Sequence, residues 1–305
     1  MDSNSDSAPA LNAPFEARYL AFLETIATLR PSLHRYCSRM TGSVLDGEDV
    51  VQDALFHAYR SLDTFDDTRP LSPWLFRIAH NRCIDFLRRR EVREEAEEEA
   101  REPDVVAPID PLGPEVGRAI EYLVLALPPK ERACVLLKDV LDYSLVETAE
   151  LVGSTVGGVK AALNRGRAKL AALPEHPATE REKPDPAMTR LLDEYVDRFN
   201  RRDWSAVREL ISADAGVRIA DRFVGRLTDS PYLGRYDRMS APWHMASGTV
   251  DGEPVILVFD GASDLRTPRS VIRIAVADGQ VVRVADYSHC AWVLRAARTV
   301  AVAHE

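Results

Sequence analysis

Residues 144–170 read SLVETAELVGSTVGGVKAALNRGRAKL, and this stretch has the pattern of a helix-turn-helix. Ser144 precedes Glu147 by three residues, which is the spacing of a capping box at the start of a helix. Gly153 then permits the left-handed turn that ends this first helix. A second apolar pattern begins directly after the glycine, so two short helices joined by a tight turn are predicted.

The second helix of this motif carries the residues that would meet DNA. Ser154 or Thr155 can cap it, and an apolar triad points inward: Val156, Val159 and Leu163. A helix in the major groove offers amide and guanidinium groups to base edges and phosphates. The expected DNA-facing residues are Thr155, Gly158, Lys160, Asn164, Arg165 and Arg167. The alternative is a solvated basic helix. The pair Gly157-Gly158 costs about 1–2 kcal/mol of helix propensity relative to alanine, and a close approach of the backbone to DNA would justify it.

Charge is distributed unevenly along the chain. The net charge of −9 opposes a nucleic-acid partner, because phosphate binding depends on Lys and Arg. Residues 155–172 nevertheless contain four basic and no acidic residues, whereas residues 91–117 contain ten acidic residues and two arginines. Local charge decides such binding. The acidic stretch either occupies the basic DNA path when DNA is absent or simply solvates a linker.

The length of 305 residues predicts two or three cores of about 100 residues each. Asp278-Gly279 between two apolar runs is a strong hairpin signal in the last third. We expect a multidomain protein with two all-α domains followed by an α+β domain. Its segments are a disordered tail at 1–14, helices at 15–92, an acidic, proline-rich linker at 93–114, helices at 115–173, a linker at 174–186 and the α+β domain at 187–295.

Several functional classes are disfavoured by the composition. The four cysteines lie far apart without a C-x-x-C pair and the seven histidines are scattered, so buried thiols and no metal site are expected. No apolar run approaches the ~20 residues that cross a bilayer. The polar N-terminus lacks the order of a signal peptide. We therefore expect a cytoplasmic protein without a cofactor and without a membrane partner.

Two motifs, in the right order, resemble bacterial RNA polymerase sigma factors of the extracytoplasmic-function group. Residues 126–140, ALPPKERACVLLKDV, followed by the helix-turn-helix, resemble their fourth region. Residues 48–55, EDVVQDAL, with residues 74–90, WLFRIAHNRCIDFLRRR, resemble their second region. The resemblance implies a sigma factor that binds core RNA polymerase and directs initiation at specific promoters. The helix-turn-helix would then read the minus-35 element.

The same resemblance assigns two surfaces to the second region. The helix predicted at residues 47–62 would dock on the polymerase clamp through Asp49, Val50, Val51, Gln52 and Asp53. For the two valines an ordinary core position is the alternative. A loop and the next helix would capture unstacked bases of the minus-10 element. The residues assigned to it are Asp66, Asp67, Trp74, Arg77, His80, Asn81, Arg88 and Arg89. Trp74 fits either base stacking or the core.

The C-terminal third begins with a different resemblance. Residues 195–204, YVDRFNRRDW, are similar to the opening helices of the SnoaL-like, nuclear-transport-factor-like α+β cone. Such cones enclose a pocket that can hold a general base, and the available residues are Asp221, His244, Asp286 and His289. Their spacing marks no acid/base pair, so no catalytic residue and no enzyme activity are expected. A regulatory domain that contacts the sigma domains or polymerase and can sense a small ligand is favoured, with catalysis and mere stabilisation as alternatives.

Two other functions compete with the sigma factor. One is a helix-turn-helix regulator that acts without polymerase, and the other is an enzyme fused to a DNA-binding module. Residues 49–52 separate the first from a sigma factor, because a free-standing regulator has no need of a clamp-binding helix.

Overall fold

The computed structural model describes residues 13–66, 68–100, 124–172, 185–220, 222–261 and 267–303. Most of the predicted tail, most of both predicted linkers, Asp67 and Asp221 lie outside these residues. The helices up to Ala172 form one compact unit, and the residues from 185 onward belong to a second.

Three long helices open the helical unit. They are α1 (Ala13–Thr41), α2 (Val44–Arg60) and α3 (Leu71–Ala100), with a 3-10 turn at Leu62–Thr64. The Ser43 hydroxyl caps α2, since it accepts hydrogen bonds from the amides of Leu45 and Asp46 at 3.2 Å. The helix α3 continues through the first acidic residues that the sequence pattern places in a linker. A pair between Arg90 and Glu94, four residues apart and 3.4 Å from each other, supports that continuation.

The second half of the helical unit carries the helix-turn-helix. Its elements are a 3-10 turn (Val124–Ala126), α4 (Pro129–Val135), a π-helical turn (Leu136–Val140), α5 (Leu145–Leu151) and α6 (Val156–Ala172). The two helical regions share one hydrophobic core. The rings of Phe76 and Tyr143 meet edge to face with centroids 5.5 Å apart. The buried Arg132 guanidinium donates to the carbonyl oxygens of Met40, Leu125 and Leu127. The described parts of the two predicted helical domains, residues 19–92 and 124–172, are therefore packed together.

The second unit is α+β, as predicted. Its helices are α7 (Pro186–Asn200), α8 (Trp204–Glu209), α9 (Tyr232–Asp237) and α10 (Ala291–Ala296). Its strands are β1 (Ile211–Ile219), β2 (Phe223–Arg226), β3 (Trp243–Val250), β4 (Glu253–Asp260), β5 (Ser270–Ala277), β6 (Gln280–Asp286) and β7 (Val300–Val302). They form one sheet in the order β2-β1-β6-β5-β4-β3-β7, in which only β1 and β6 pair in parallel. The sheet continues past residue 295, the predicted end of the domain, because β7 pairs with β3.

The predicted hairpin in this sheet is confirmed. Asp278 and Gly279 both have positive φ, at 52° and 74°, and Ala277 faces Gln280 across the turn. Two consecutive left-handed residues are what a two-residue hairpin turn requires. The helix α7 lies against β3 and β4, so its apolar stripe and the sheet close the core of this unit.

All four cysteines are free and buried, as expected. In the described ranges, none of the helices combines the length and apolar character needed to cross a membrane. The same ranges contain no group of three or more His, Cys, Asp or Glu residues placed to hold a metal ion.

Candidate nucleic-acid interface

The predicted caps of the helix-turn-helix are present. The Ser144 amide donates to Glu147 Oε2 at 2.8 Å, and the Glu147 amide donates to Ser144 Oγ at 3.2 Å. Gly153 has a φ of 62° in the turn. Thr155, rather than Ser154, caps α6, because its hydroxyl accepts the Gly158 amide at 3.0 Å.

The glycine pair in α6 has room for a larger residue. A Cβ atom at Gly158 would lie 2.6 Å from Ser154 Oγ, the end of a side chain that can rotate away, and a Cβ at Gly157 would meet only Thr155 Oγ1 at 3.9 Å. Packing within the chain therefore does not explain the pair, and an approach of the backbone to DNA stays a prediction.

The outer face of α6 divides into two halves. Thr155, Lys160 and Asn164 are exposed in the N-terminal part, and Lys160 has no ionic partner within the part of the chain that the structure describes. In the C-terminal part, Arg165 donates to Glu131 Oε1 at 2.8 Å. Arg167 forms a two-pronged pair with Asp139, at 2.6 and 3.0 Å. In the first half, Lys160 and Asn164 present unpaired polar groups, whereas the Thr155 hydroxyl is used in the helix cap.

These ion pairs shift the pKa values of the residues that form them. Hydrogen bonds from Arg165 and Lys169 lower the pKa of Glu131 below its ordinary value. The hydrogen bond from Arg167 to Asp139 raises the pKa of that guanidinium. Acids of α4 and the π-helical turn therefore neutralise positive charge that the sequence alone places on the DNA side.

The helix α3 has an open basic stripe. Arg77, Asn81 and Arg88 are exposed at spacings of four and seven residues, which places them on one face. Arg89 is also exposed, and its Nε donates to the backbone oxygen of Asp85 at 3.1 Å. This stripe retains more unpaired charge than α6.

His80 does not belong to that stripe, so its assignment to DNA binding is corrected. It is 7% exposed, and its Nδ1 lies 2.8 Å from the hydroxyl of the buried Tyr36. Burial lowers the pKa of His80 to about 4. A neutral imidazole held in the core is unavailable to bases or phosphates.

The loop before α3 is locally ordered by Asp66. Its carboxylate accepts the Thr68 amide at 3.1 Å and the Thr68 hydroxyl at 2.7 Å, and these bonds lower the pKa of Asp66. Trp74 is half-buried and packs on Phe65 with ring centroids 4.7 Å apart. Trp74 therefore takes part in packing while leaving some of its indole accessible.

The residues assigned to polymerase lie on two different faces of α2. Val50 and Val51 are core residues, 4% and 0% exposed, so their assignment to direct polymerase contact is corrected. Gln52 bonds to Glu48 at 3.3 Å, and Asp53 is exposed. The valines lie on the apolar stripe of this amphipathic helix, and the polar residues lie on its other face.

Two aromatic residues on α2 were missed from the sequence. Phe56 is 63% exposed, and Tyr59, which the apolar stripe places inside, is 46% exposed. Phe56 follows Gln52 and Asp53 by four and three residues, so it shares their face. The sequence signal that could have revealed this surface is the spacing of Phe56, which falls one turn after Gln52 and Asp53 on the polar side of the helix.

Three of the candidate acid/base residues of the α+β unit lie among the described residues, and each has different surroundings. Asp286 is buried and accepts the Tyr236 hydroxyl at 2.8 Å. His289 is exposed and lies 3.3 Å from Arg235, and His244 is half-buried on β3.

Comparison with known proteins places the chain in a family. Residues 25–93 match the model of sigma-70 region 2, and residues 117–170 match that of sigma-70 region 4. The chain is 32% identical over 300 residues to the ECF RNA polymerase sigma factor SigG of Mycobacterium tuberculosis, covering 85% of this chain and 78% of that protein. The chain belongs to the extracytoplasmic-function RNA polymerase sigma factors. It therefore directs transcription by RNA polymerase, and a regulator acting without polymerase is not favoured.

Two further similarities involve different shares of the chain. SigW, an ECF RNA polymerase sigma factor of Bacillus subtilis, is 34% identical over 162 residues, which cover 49% of this chain and 87% of SigW. The crystal structure of the sigma factor SigJ of Mycobacterium tuberculosis covers 88% of this chain and 97% of that chain, at 18% identity and a TM-score of 0.35. The sigma factor SigG alignment thus extends well beyond the length shared with SigW.

Proposed function

We propose that this sigma factor reads the minus-35 element with the N-terminal half of α6. Thr155, Lys160 and Asn164 are the side chains exposed there. An amide and a free ammonium group can meet base edges and phosphates in the major groove. Arg165 and Arg167 instead brace α6 against Glu131 and Asp139.

The minus-10 element is assigned to the stripe of α3 and to the loop before it. Arg77, Arg88 and Arg89 would hold the phosphates, and Asn81 would meet a base. The remaining accessible surface of Trp74 can stack on an unpaired base, since stacking on an aromatic ring tolerates any base.

Core polymerase is assigned to the outer face of α2, and this face carries the proposal as a whole. It combines Asp49, Gln52 and Asp53 with the exposed rings of Phe56 and Tyr59. Exposed aromatic side chains in a polar rim are typical centres of a protein interface. A DNA-binding protein that acts alone has no use for such a face.

The α+β unit is assigned a regulatory role within this sigma factor, without catalysis and with a small ligand as a candidate effector. Asp286 accepts the Tyr236 hydroxyl and His289 lies beside Arg235, and neither contact is a general acid/base pair. Because the partner is core polymerase, the protein is expected to act in the cytoplasm.

Transcription in vitro tests these assignments. Core polymerase with the full chain should initiate at discrete sites on a library of upstream DNA, and the chain truncated after residue 173 should initiate at the same sites with altered yield. Phe56→Ala should weaken binding to core polymerase by about 10- to 30-fold, the loss of a typical interface anchor.

Val224→Ala is the matched control, since Val224 is 74% exposed on β2 of the other unit. Failure of the full chain to support any specific initiation would refute the assigned function. Equal polymerase affinity of the Phe56 and Val224 variants would refute only the assigned face.

A further inference from the structure

A buried ion pair lies beneath the outer face of α2. Glu48 on α2 is fully buried, and Arg30 on α1 is 7% exposed. Arg30 Nη2 donates to Glu48 Oε1 at 2.5 Å. The same oxygen accepts the side-chain amide of Gln52 at 3.3 Å. One carboxylate oxygen therefore connects the interior of the helical unit to a residue that we assign to polymerase.

Stability is a weak reason for an ion pair in the interior. Removing two charges from water is costly, and apolar side chains of similar volume are often as stable. The neighbouring His34 adds no full positive charge at neutral pH, because burial lowers its pKa. Buried ionic groups are retained in some proteins because they fix one arrangement of their neighbours. Gln52 is the neighbour of this pair on the surface side.

The close crossing of α1 and α2 fixes the position of Glu48. A Cβ atom at Gly47 would lie 2.6 Å from the Cα and the amide nitrogen of Ser38 on α1. Backbone atoms cannot turn aside as the end of a flexible side chain can, so the two helices touch along their backbones at this point. Glu48 follows that contact directly, and Gln52 stands one helical turn later on the same face.

The bond to Glu48 decides which end of the Gln52 amide faces outward. An ionised carboxylate only accepts hydrogen bonds, whereas an amide group has a donor end and an acceptor end. The NH2 group of Gln52 therefore faces Glu48, and its carbonyl oxygen faces away from the buried pair. Among the residues that the structure describes, no group donates to that oxygen. Gln52 consequently offers an acceptor on the face assigned to polymerase.

We propose that Arg30 and Glu48 are positioning residues for polymerase binding. They hold Gln52 with its carbonyl oxygen turned outward, where it accepts a hydrogen bond from a donor side chain of core polymerase. The inference rests on the proposed assignment of the outer face of α2 to polymerase. It adds the direction of one hydrogen bond and the two buried residues that set this direction.

Titration of the labelled full chain with core polymerase tests the positioning role. Gln52→Ala should weaken binding about 10-fold, because the donor on polymerase is left unpaired in the interface. Arg30→Met/Glu48→Leu replaces the ion pair by apolar side chains and should keep the urea midpoint near the parental value. It should nevertheless weaken polymerase binding by a similar factor, because Gln52 is released. Arg30→Lys keeps a positive charge beside Glu48 and should retain most of the affinity.

A double-mutant cycle separates positioning from a general loosening of α2. In a Gln52→Ala background, the apolar pair should cause no further loss beyond about 2-fold, because it acts through Gln52. Glu48→Gln keeps the size of the side chain but lets the Gln52 amide turn, so it should depend on Gln52 in the same way. Ser43→Ala removes the cap of α2 and is the matched control for loosening. It should lower the urea midpoint and change the affinity by one factor in both backgrounds.

Two failures are distinguishable. Parental affinity of the folded Arg30→Met/Glu48→Leu variant, or an equal loss with and without Gln52, would overturn the positioning role while Gln52→Ala still weakens binding. If Gln52→Ala and Phe56→Ala both kept the parental affinity, the polymerase assignment of the α2 face would be wrong, and the inference would fall with it.

Discussion

The two helices that we assign to DNA, α3 and α6, use their arginines differently. In α3, Arg77 and Arg88 are exposed and have no acidic partner among the residues described. In α6, Arg165 and Arg167 are tied to Glu131 and Asp139. Both pairs satisfy the same sequence criterion of an exposed basic residue on a helix. Available charge therefore depends on the fold around the helix.

From this difference we propose separate tasks for the two helices. Open arginines on α3 supply strong, sequence-independent attraction to phosphates, as a strand-opening surface requires. Braced arginines on α6 hold the helix in position, and Lys160 and Asn164 are left to meet DNA. Recognition at the upstream element then depends on orientation more than on charge.

The largest loss of promoter affinity is expected from substitutions on α3. The double substitution Arg77→Ala/Arg88→Ala removes two phosphate contacts, each worth about 0.9 in the slope of log K against log salt. Promoter binding by the polymerase complex should weaken by about 60-fold at 0.1 M salt. Titrating the complex with a promoter recovered from the transcription library, at several salt concentrations, measures both quantities.

Arg190→Ala is the control for this experiment, because it removes an exposed positive charge from α7 in the other unit. It should leave the salt slope unchanged. If the double variant kept the salt slope of the unsubstituted protein, Arg77 and Arg88 would not contact DNA phosphates.

The next effect concerns the inner face of α3, at His80. Its pKa is lowered to about 4 by burial, whereas in the unfolded chain it would titrate near 6.5. The stability that neutral His80 contributes is therefore present above pH 6.5 and lost as pH falls toward 4. Between pH 7 and pH 5 the loss is about 2 kcal/mol.

His80→Gln isolates this contribution, since the amide oxygen can still accept the Tyr36 hydroxyl. Urea unfolding followed at 222 nm should show about 2 kcal/mol less acid destabilisation in the variant than in the parent. His34, whose pKa is also lowered by burial, is present in both proteins and cancels. Equal acid destabilisation would place His80 outside the core, with the other residues of the α3 stripe.

The sequence predicts much of the fold and less of the interface. Local signals were sufficient for the capping box at Ser144, the turn at Gly153 and the hairpin at Asp278-Gly279, because each depends on residues that are close in the chain. The pairing of Arg167 with Asp139 joins residues 28 positions apart, and no periodicity reveals it. The burial of His80 follows from the position of Tyr36, 44 residues away.

The exposure of Tyr59 on α2 follows from helix geometry. The sequence interpretation grouped Tyr59 with Val50 and Val51, but Tyr59 follows Val50 by nine residues, which is about half a turn away on a helix of 3.6 residues per turn. Tyr59 is accordingly 46% exposed. The exposed aromatic pair on α2 was therefore missed.

A smaller effect is expected for the open half of α6. Lys160→Ala removes one phosphate contact, so promoter binding should weaken by about 8-fold at 0.1 M salt, with the salt slope reduced by about 0.9. Lys160→Arg should restore most of both quantities because it keeps the charge. If the Lys160→Ala variant kept the parental affinity and salt slope, Lys160 would not contact the promoter, and the assignment of this part of α6 would be wrong.

The smallest effect on DNA is expected for Arg165→Ala, although the same residue type stands in the same helix. Because its guanidinium already bonds to Glu131, its removal takes no phosphate contact away, and the salt slope should be unchanged. The effect should appear instead in stability, as a loss of about 1 kcal/mol, since Lys169 continues to pair with Glu131 at 2.9 Å. Measuring promoter titration and urea unfolding on one preparation separates these outcomes. A reduced salt slope with parental stability would mean that Arg165 leaves Glu131 for phosphate in the promoter complex, and α6 would then resemble α3 after all.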